Sequence, residues 1–402
     1  MTLINRLRRW RAVFAAGVLF LLSCSAPDTL SRRNYQKEWT VIVYMAADNN
    51  LDPFAVKDIL AMETVGSDSD IDIIVYLDRV IGSKPEYPVV LWITNDTSDN
   101  IISPVIREYK EQNSCAPDVL REFLLWSCKE FPSKRFGLIL WSHGTGWLPA
   151  GFEITPLSFG YDVSDGKNEM EIPDLASALK DMYFDFIAFD ACSMADIEVA
   201  FKLRNKTDWL VASQTEILSG GYPYHDILNT LKQNLSEKTD KILSRIALDF
   251  FNYYNSKPYN YQRSASVAVI NMKETDNLAK SVSNFISDTL SKTDSSNLIN
   301  IASNVQRVSL NPDFMDIQFD LLDWINIIEQ TYGVIDSYSN VLKSFRNTVI
   351  WQTNTEKFLD SLSLSNLKGL NVWIPVYTNT ALREHYAQYQ WSIVSGMELL
   401  FD

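Results

Sequence analysis

Cys192 and His143 are the two side chains whose type and setting could do chemistry. The apolar run Phe186-Ile-Ala-Phe189 stops at Asp190-Ala191-Cys192, and a helix-like segment from Met194 to Lys202 follows. A second run, Gly137-Leu-Ile-Leu-Trp-Ser142, empties into His143-Gly144-Thr145-Gly146-Trp147, with His143 49 residues before Cys192. Each has the pattern of a buried parallel strand whose polar residues sit at the C-terminal end, where open α/β sheets hold their sites. A thiol and an imidazole delivered by two such strand ends are the parts of a Cys-His nucleophile pair. An ordinary thiol ionises near pH 8.5, so it needs an imidazolium neighbour or a helix N-terminus to become thiolate at working pH. The helix expected just after Cys192 would supply the second. Gly144 has no Cβ, so a substrate carbonyl can approach its N–H. With the Cys192 N–H it would form an oxyanion hole worth about 3 kcal/mol per donor. The other two histidines, His225 at a helix start and His385 in the last helical stretch, read as bystanders. His143-Gly144-Thr145-Gly146 also suggests a serine α/β-hydrolase, but the chain contains no Gly-x-Ser-x-Gly elbow.

The elements that must position this pair follow a regular alternation. Trp39 to Ala47 reads as a fully buried first strand, ending in the turn and helix-start cluster Asp48-Asn49-Asn50-Leu51-Asp52-Pro53. A helix from Pro53 to about Val65 and a buried strand Ile71 to Asp78 come next. Val89 to Asn95 is expected to be antiparallel and near an edge. Pro117 to Lys129 is an amphipathic helix feeding the His143 strand. Leu148 to Glu171 lacks periodicity and reads as a long functional loop. Pro173 opens the crossover helix into the Cys192 strand, and Trp209 to Ser213 is the next strand. Later helices are expected at Ile242–Tyr254, Thr275–Leu290, Phe319–Tyr332 and Ser337–Gln352, with strands at Ser264–Ile270 and Gly369–Pro375. The pattern is α/β: a mostly parallel sheet with helices on both faces, followed by a C-terminal α/β extension.

Totals narrow the function classes. The 402 residues are 46% hydrophobic and 12% aromatic, a globular composition with ample core. A net charge of −14, with no basic stripe and no Gly-rich phosphate loop, excludes a nucleic-acid partner. Arg6, Arg8, Arg9 and Arg11 precede the apolar stretch Ala12–Leu22, which is too short to span a bilayer but suits a signal h-region. It ends in Leu21-Leu22-Ser23-Cys24, which looks like a bacterial lipobox with Cys24 as the acylated residue. Loss of residues 1–23 removes four arginines and no acid, taking the charge from −14 to −18. Residues 24–38 read as a tether, 39–255 as the catalytic core, and 256–402 as a C-terminal part packed on it. Cys115 and Cys128 are left to form one disulfide or to remain two thiols. The expected location is the bacterial cell envelope. Ser25-Ala26-Pro27-Asp28 carries no acidic run, which favours a periplasm-facing anchor.

With these pieces in place the chain resembles the clostripain-like cysteine peptidases, from the clan of caspases, gingipains and legumains. The matching segments are Val41-Ile-Val-Tyr-Met-Ala-Ala-Asp-Asn-Asn-Leu51, Trp141-Ser-His-Gly-Thr-Gly-Trp147 and Phe189-Asp-Ala-Cys-Ser-Met194 with Glu198. Gly221-Tyr-Pro-Tyr224 and Gly369-Leu-Asn-Val-Trp-Ile-Pro375, with Tyr386 and Trp391, continue the match in order to the C-terminus. The resemblance implies a caspase-like fold and cleavage after Arg or Lys. It assigns Asp190 to the acidic floor of the substrate pocket, where a carboxylate can bind a guanidinium bidentately. Gln214 and Thr215 stand where a more acidic stretch would be expected. Several such relatives are calcium-stimulated and activated by a cut between the two catalytic strands. Lys167, the only basic residue between Gly144 and Lys180, is then the site for self-cleavage. No cofactor is required by the sequence; calcium enters only through the resemblance, with Asp162 or Asp165 as its ligands. The expected partners are a protein or peptide substrate and, through lipid on Cys24, a membrane, with the chain a monomer. The rival reading is a catalytically silent lipoprotein that uses the fold to bind a peptide or partner.

Overall fold

Alternation within single strands dictates the layering. Along Lys37–Ala47 (β1), Ile42, Tyr44 and Ala46 pack on one face while Val41, Val43, Met45 and Ala47 pack on the other, all of them buried. A strand apolar on both sides must be covered on both sides. The computed structural model describes residues 36–149, 158–166, 168–310, 317–376 and 380–401. Cys24 with its leader, and Lys167, lie outside them.

Around β1 lie Ile71–Arg79 (β2), Val89–Trp92 (β3), Val105–Glu108 (β4) and Ser133–Trp141 (β5). A hairpin of Phe159–Asp162 (β6) and Asn168–Met170 (β7) stands apart from the sheet. Phe184–Asp190 (β8), Thr207–Ala212 (β9) and Ser266–Asn271 (β10) follow. Further on are Gln318–Asp320 (β11), Val349–Asn354 (β12), the short pair Lys357–Phe358 (β13) and Leu362–Ser363 (β14), and Asn371–Trp373 (β15). Nine strands make one sheet in the order β12-β10-β9-β8-β5-β1-β2-β3-β4. The five from β9 to β2 are mutually parallel, and the two at either end run antiparallel to their neighbours. β1 is followed by β2 on one side and β5 on the other, so the connections reverse direction beside β5. Open sheets form their ligand crevice at such a reversal.

One face is covered by Asp52–Glu63 (α1), with Tyr224–Gln233 (α5) and Thr239–Asn255 (α6). The other carries Pro117–Glu130 (α2), Ile172–Ala178 (α3), Ile197–Leu203 (α4), Thr275–Leu290 (α7), Leu321–Tyr332 (α9) and Ile335–Thr348 (α10). Ser295–Asn300 (α8), Thr380–Tyr386 (α11) and Gln390–Val394 (α12) complete the helices described.

Several elements differ from expectation, among them the β6–β7 hairpin within the span 148–171, expected to be a loop. The helix expected over Ser337–Gln352 ends at Thr348, and Val349-Ile350-Trp351 turns into β12 on the sheet edge. Its β-branched and aromatic residues fit a pleated surface better than a helix. The late strand shrinks to β15 and pairs with β11 outside the main sheet. No disulfide joins Cys115 and Cys128. No helix among the described residues is long and apolar enough to cross a membrane.

Gly137 shows how tightly the two central strands meet. It pairs with Phe186 across β5 and β8, and a Cβ there would overlap the buried Phe186 ring. Gly137→Ala is expected to lower stability by about 1–3 kcal/mol through overpacking, read from urea unfolding followed by tryptophan fluorescence.

Candidate active site

Strand register brings the pair together. Trp141 of β5 is level with Asp190 of β8 in a parallel ladder. His143 and Cys192 are each two residues beyond that pair, on neighbouring strands about 4.8 Å apart. Both line one cleft, with Trp141, Asp190 and Gly221. The Ser142 N–H donates to the Asp190 carbonyl at 3.3 Å and the Ser142 hydroxyl to the Ala46 carbonyl at 2.7 Å, which ties the His143 turn to both flanking strands. After the nucleophile, Ser193 adopts φ +58° and donates its N–H to Thr215 at 3.0 Å. A left-handed serine costs on the order of 1–3 kcal/mol and persists only where the surroundings impose it.

His143 has a partner that the sequence reading passed over as part of a turn. Its Nε2 lies 2.8 Å from Asn50 Oδ1. An amide oxygen only accepts, so Nε2 carries the proton and Nδ1 keeps its lone pair. Asn50 is held in place by its neighbour: Asn49 donates to the carbonyls of Ala46 and Tyr161, and its Oδ1 accepts the Leu51 N–H. A polar cluster at the exit of a buried strand was the available signal.

The electrostatics correct one expectation. α4 begins at Ile197, capped by Asp196, whose carboxylate accepts the N–H groups of Glu198 and Val199. The helix N-terminus therefore serves Asp196, not Cys192. Burial, with Glu216 and Asp190 nearby, pushes the thiol up to about 12, while burial pulls His143 down to about 4. The Ile217 N–H donates to Sγ at 3.3 Å, which offsets only part of this. The resting pair is a neutral thiol beside a neutral imidazole.

Gly144 meets a steric demand of the same turn: a Cβ there would lie 2.8 Å from the Cys192 carbonyl oxygen and 3.0 Å from Met194 Sδ. Thr145 and Gly160 donate their N–H groups to Ser158 and His143. Asp190 is 5% exposed; its Oδ2 accepts the Tyr222 N–H and the Tyr224 hydroxyl, both at 3.0 Å. Asp190 also lines the cleft.

The remaining acids divide differently. Asp52 is neither cap nor pocket wall, because Arg79 holds both its oxygens, at 2.6 and 2.8 Å. Asp48 accepts the Ser164 N–H. Asp162 has both oxygens engaged by Ser114 and the Asp165 N–H, so it orders the loop. No group of three or more His, Cys, Asp or Glu among the described residues is arranged to hold a metal. His225 is bonded to Thr64 and Asn229, and His385 stacks on Trp147, so neither joins the cleft.

The clostripain family model matches residues 43–396. The chain belongs to the clostripain family. Clostripain from Hathewaya histolytica is 26% identical over 231 residues, half of this chain; the chain spans 44% of that relative's length. A secreted C11 cysteine protease from Bacteroides thetaiotaomicron, solved with an irreversible peptide inhibitor, is 27% identical with a TM-score of 0.74, covering 90% of this chain and 99% of the other. An inactive zymogen C11 protease from Parabacteroides distasonis is 27% identical with a TM-score of 0.72, covering 90% and 98%. The clostripain-family fold thus accounts for nearly the whole described chain.

A neutral resting pair has a measurable signature. Alkylation of Cys192 by iodoacetamide, followed by peptide mass spectrometry, is expected to rise steadily from about pH 7 to about pH 10. A plateau across about pH 5 to 8 would instead report a thiolate–imidazolium pair.

Proposed function

We propose that this chain is a cysteine endopeptidase that cuts peptide bonds after arginine or lysine. The observation that carries the reading is that His143 and Cys192, each two residues past the ends of paired strands, line one cleft together with Asp190. The Trp141, Leu51, Ile217 and Leu218 walls suit the aliphatic stem of a long basic side chain, and Asp190 suits its charge.

As the thiol attacks the carbonyl carbon, His143 takes its proton, so no free thiolate has to form in the buried site. In this reading the N–H groups of Gly144 and Cys192 turn to the developing negative charge as an oxyanion hole. The imidazolium then returns its proton to the departing amine, leaving a thioester. Water activated by His143 hydrolyses that thioester and restores the thiol. Asn50 fixes the imidazole tautomer throughout. Export with a lipid on Cys24, and a precursor cut at Lys167, belong to the same reading and rest on the sequence.

Fluorogenic peptides ending in Arg, Lys, Asp, Asn or Leu, with and without calcium, test the proposal. Cleavage after Arg and Lys is expected, and Cys192→Ala abolishes it. Silence on all of them, with an unprocessed chain, would favour the silent peptide-binding lipoprotein. Asn50→Ala is expected to lower kcat about 10- to 100-fold with little change in KM, the mark of a lost base orientation.

A further inference from the structure

Behind the cleft residues Trp141 and Gly221 lies a second carboxylate. Asp58 of α1 is 7% exposed, and its Oδ2 accepts the Trp141 indole N–H at 2.8 Å. Gly221, at φ +56°, separates it from Asp190. A Cβ on Gly221 would lie 2.9 Å from Asp190 Oδ2 and 3.3 Å from Asp58 Oδ2. Oxygens of both acids thus lie close to one point beside Gly221. None of the described Lys, Arg or His side chains forms an ion pair with either. Lys57, next to Asp58 on α1, lies over the Phe54 ring, and His225 of α5 is engaged by Thr64 and Asn229. The other titratable groups facing the pair are Tyr222, Tyr224, Tyr254 and Cys192, all neutral at rest, and none supplies positive charge.

Two neighbouring buried carboxylates cannot both ionise cheaply, and the Lys57 charge offsets only part of this at Asp58, so the pair keeps a proton. Burial and the Asp190 charge push Asp58 up, and burial pushes Asp190 up as well. A cation brought to Asp190 reverses the balance by favouring the fully ionised pair.

We propose that Asp58 is a second carboxylate of the specificity pocket, sharing one proton with Asp190 while the pocket is empty and releasing it to solvent when a substrate guanidinium or ammonium seats against Asp190. This rests on the reading that the cleft takes a basic side chain. A neutral side chain leaves the proton in place, so the pocket reaches its full charge only for a basic one. Asp58 acts through Asp190 and need not touch the substrate. No bond is made or broken other than the O–H of the shared proton.

The test uses matched peptides with Arg or Leu before the scissile bond and the full chain from about pH 5 to about pH 8.5. Taking the ratio of their kcat/KM values cancels the titration of His143 and Cys192. The ratio is expected to climb by about tenfold over this range as the shared proton becomes easier to displace. In Asp58→Asn, which can still accept from Trp141, Asp190 keeps the rise that burial gives it but faces no second carboxylate, so the climb shifts to lower pH. A second measurement needs no change at Asp58. Titration of the Arg peptide into Cys192→Ala in buffers of different ionisation enthalpy should show net release of up to one proton per site near pH 7, falling towards zero in Cys192→Ala/Asp58→Asn. Preference for Arg with no proton release, or an unchanged ratio profile in Asp58→Asn, overturns the role of Asp58 and leaves the basic pocket standing. Absence of any Arg preference at any pH overturns the basic pocket itself.

Discussion

The parallel ladder between β5 and β8 is the constraint on which the rest depends. Because Trp141 faces Asp190, every residue beyond that pair is placed by counting: two steps reach the imidazole on one strand and the thiol on the other. A register slip of one residue would move each side chain to the opposite face. The Gly137–Phe186 contact fixes the register by volume, since only glycine admits the ring. Neighbouring parallel strands also bring the Gly144 and Cys192 turns into contact, and the missing Cβ at Gly144 lets them close.

A second set of forces keeps the nucleophile turn in shape. Gln214 donates to Asp320 and Asn371 at 2.9 and 3.0 Å and accepts the Gly369 N–H at 2.7 Å, all buried. Gln214 therefore binds the C-terminal segments and is no part of the pocket, which explains why an acid is not needed there. Gln318 donates to Asp196, and Glu198 accepts the Tyr386 hydroxyl at 2.6 Å. Buried networks of this kind favour one arrangement, and losing a member leaves a desolvated group behind. The strained Ser193 lies between these anchors, held on one side by Thr215.

Burial drives both the thiol and the imidazole towards neutrality, so proton transfer is deferred to the moment of attack. The same desolvation acts on Asp58 and Asp190. Desolvation thus governs the protonation of Cys192, His143, Asp190 and Asp58 alike.

The sequence by itself determined the strands, because a run apolar on both faces can only be the interior of a covered sheet. It also determined the nucleophile and base, since Cys192 and His143 each follow such a run, and the glycine between them. Asn50 and Asp58 were not legible as functional. An asparagine in a turn and an aspartate on a helix are ordinary, and their meaning lies in partners 93 and 83 residues away. The helix expected beside Cys192 failed for a related reason: local pattern marked its region, while Asp196 decided where it starts. The edge strand β12 and the displaced β15 were chosen by pairing, which no local window contains. Tertiary structure alone decided the charge states, because desolvation depends on everything that surrounds a group and not on its neighbours in sequence.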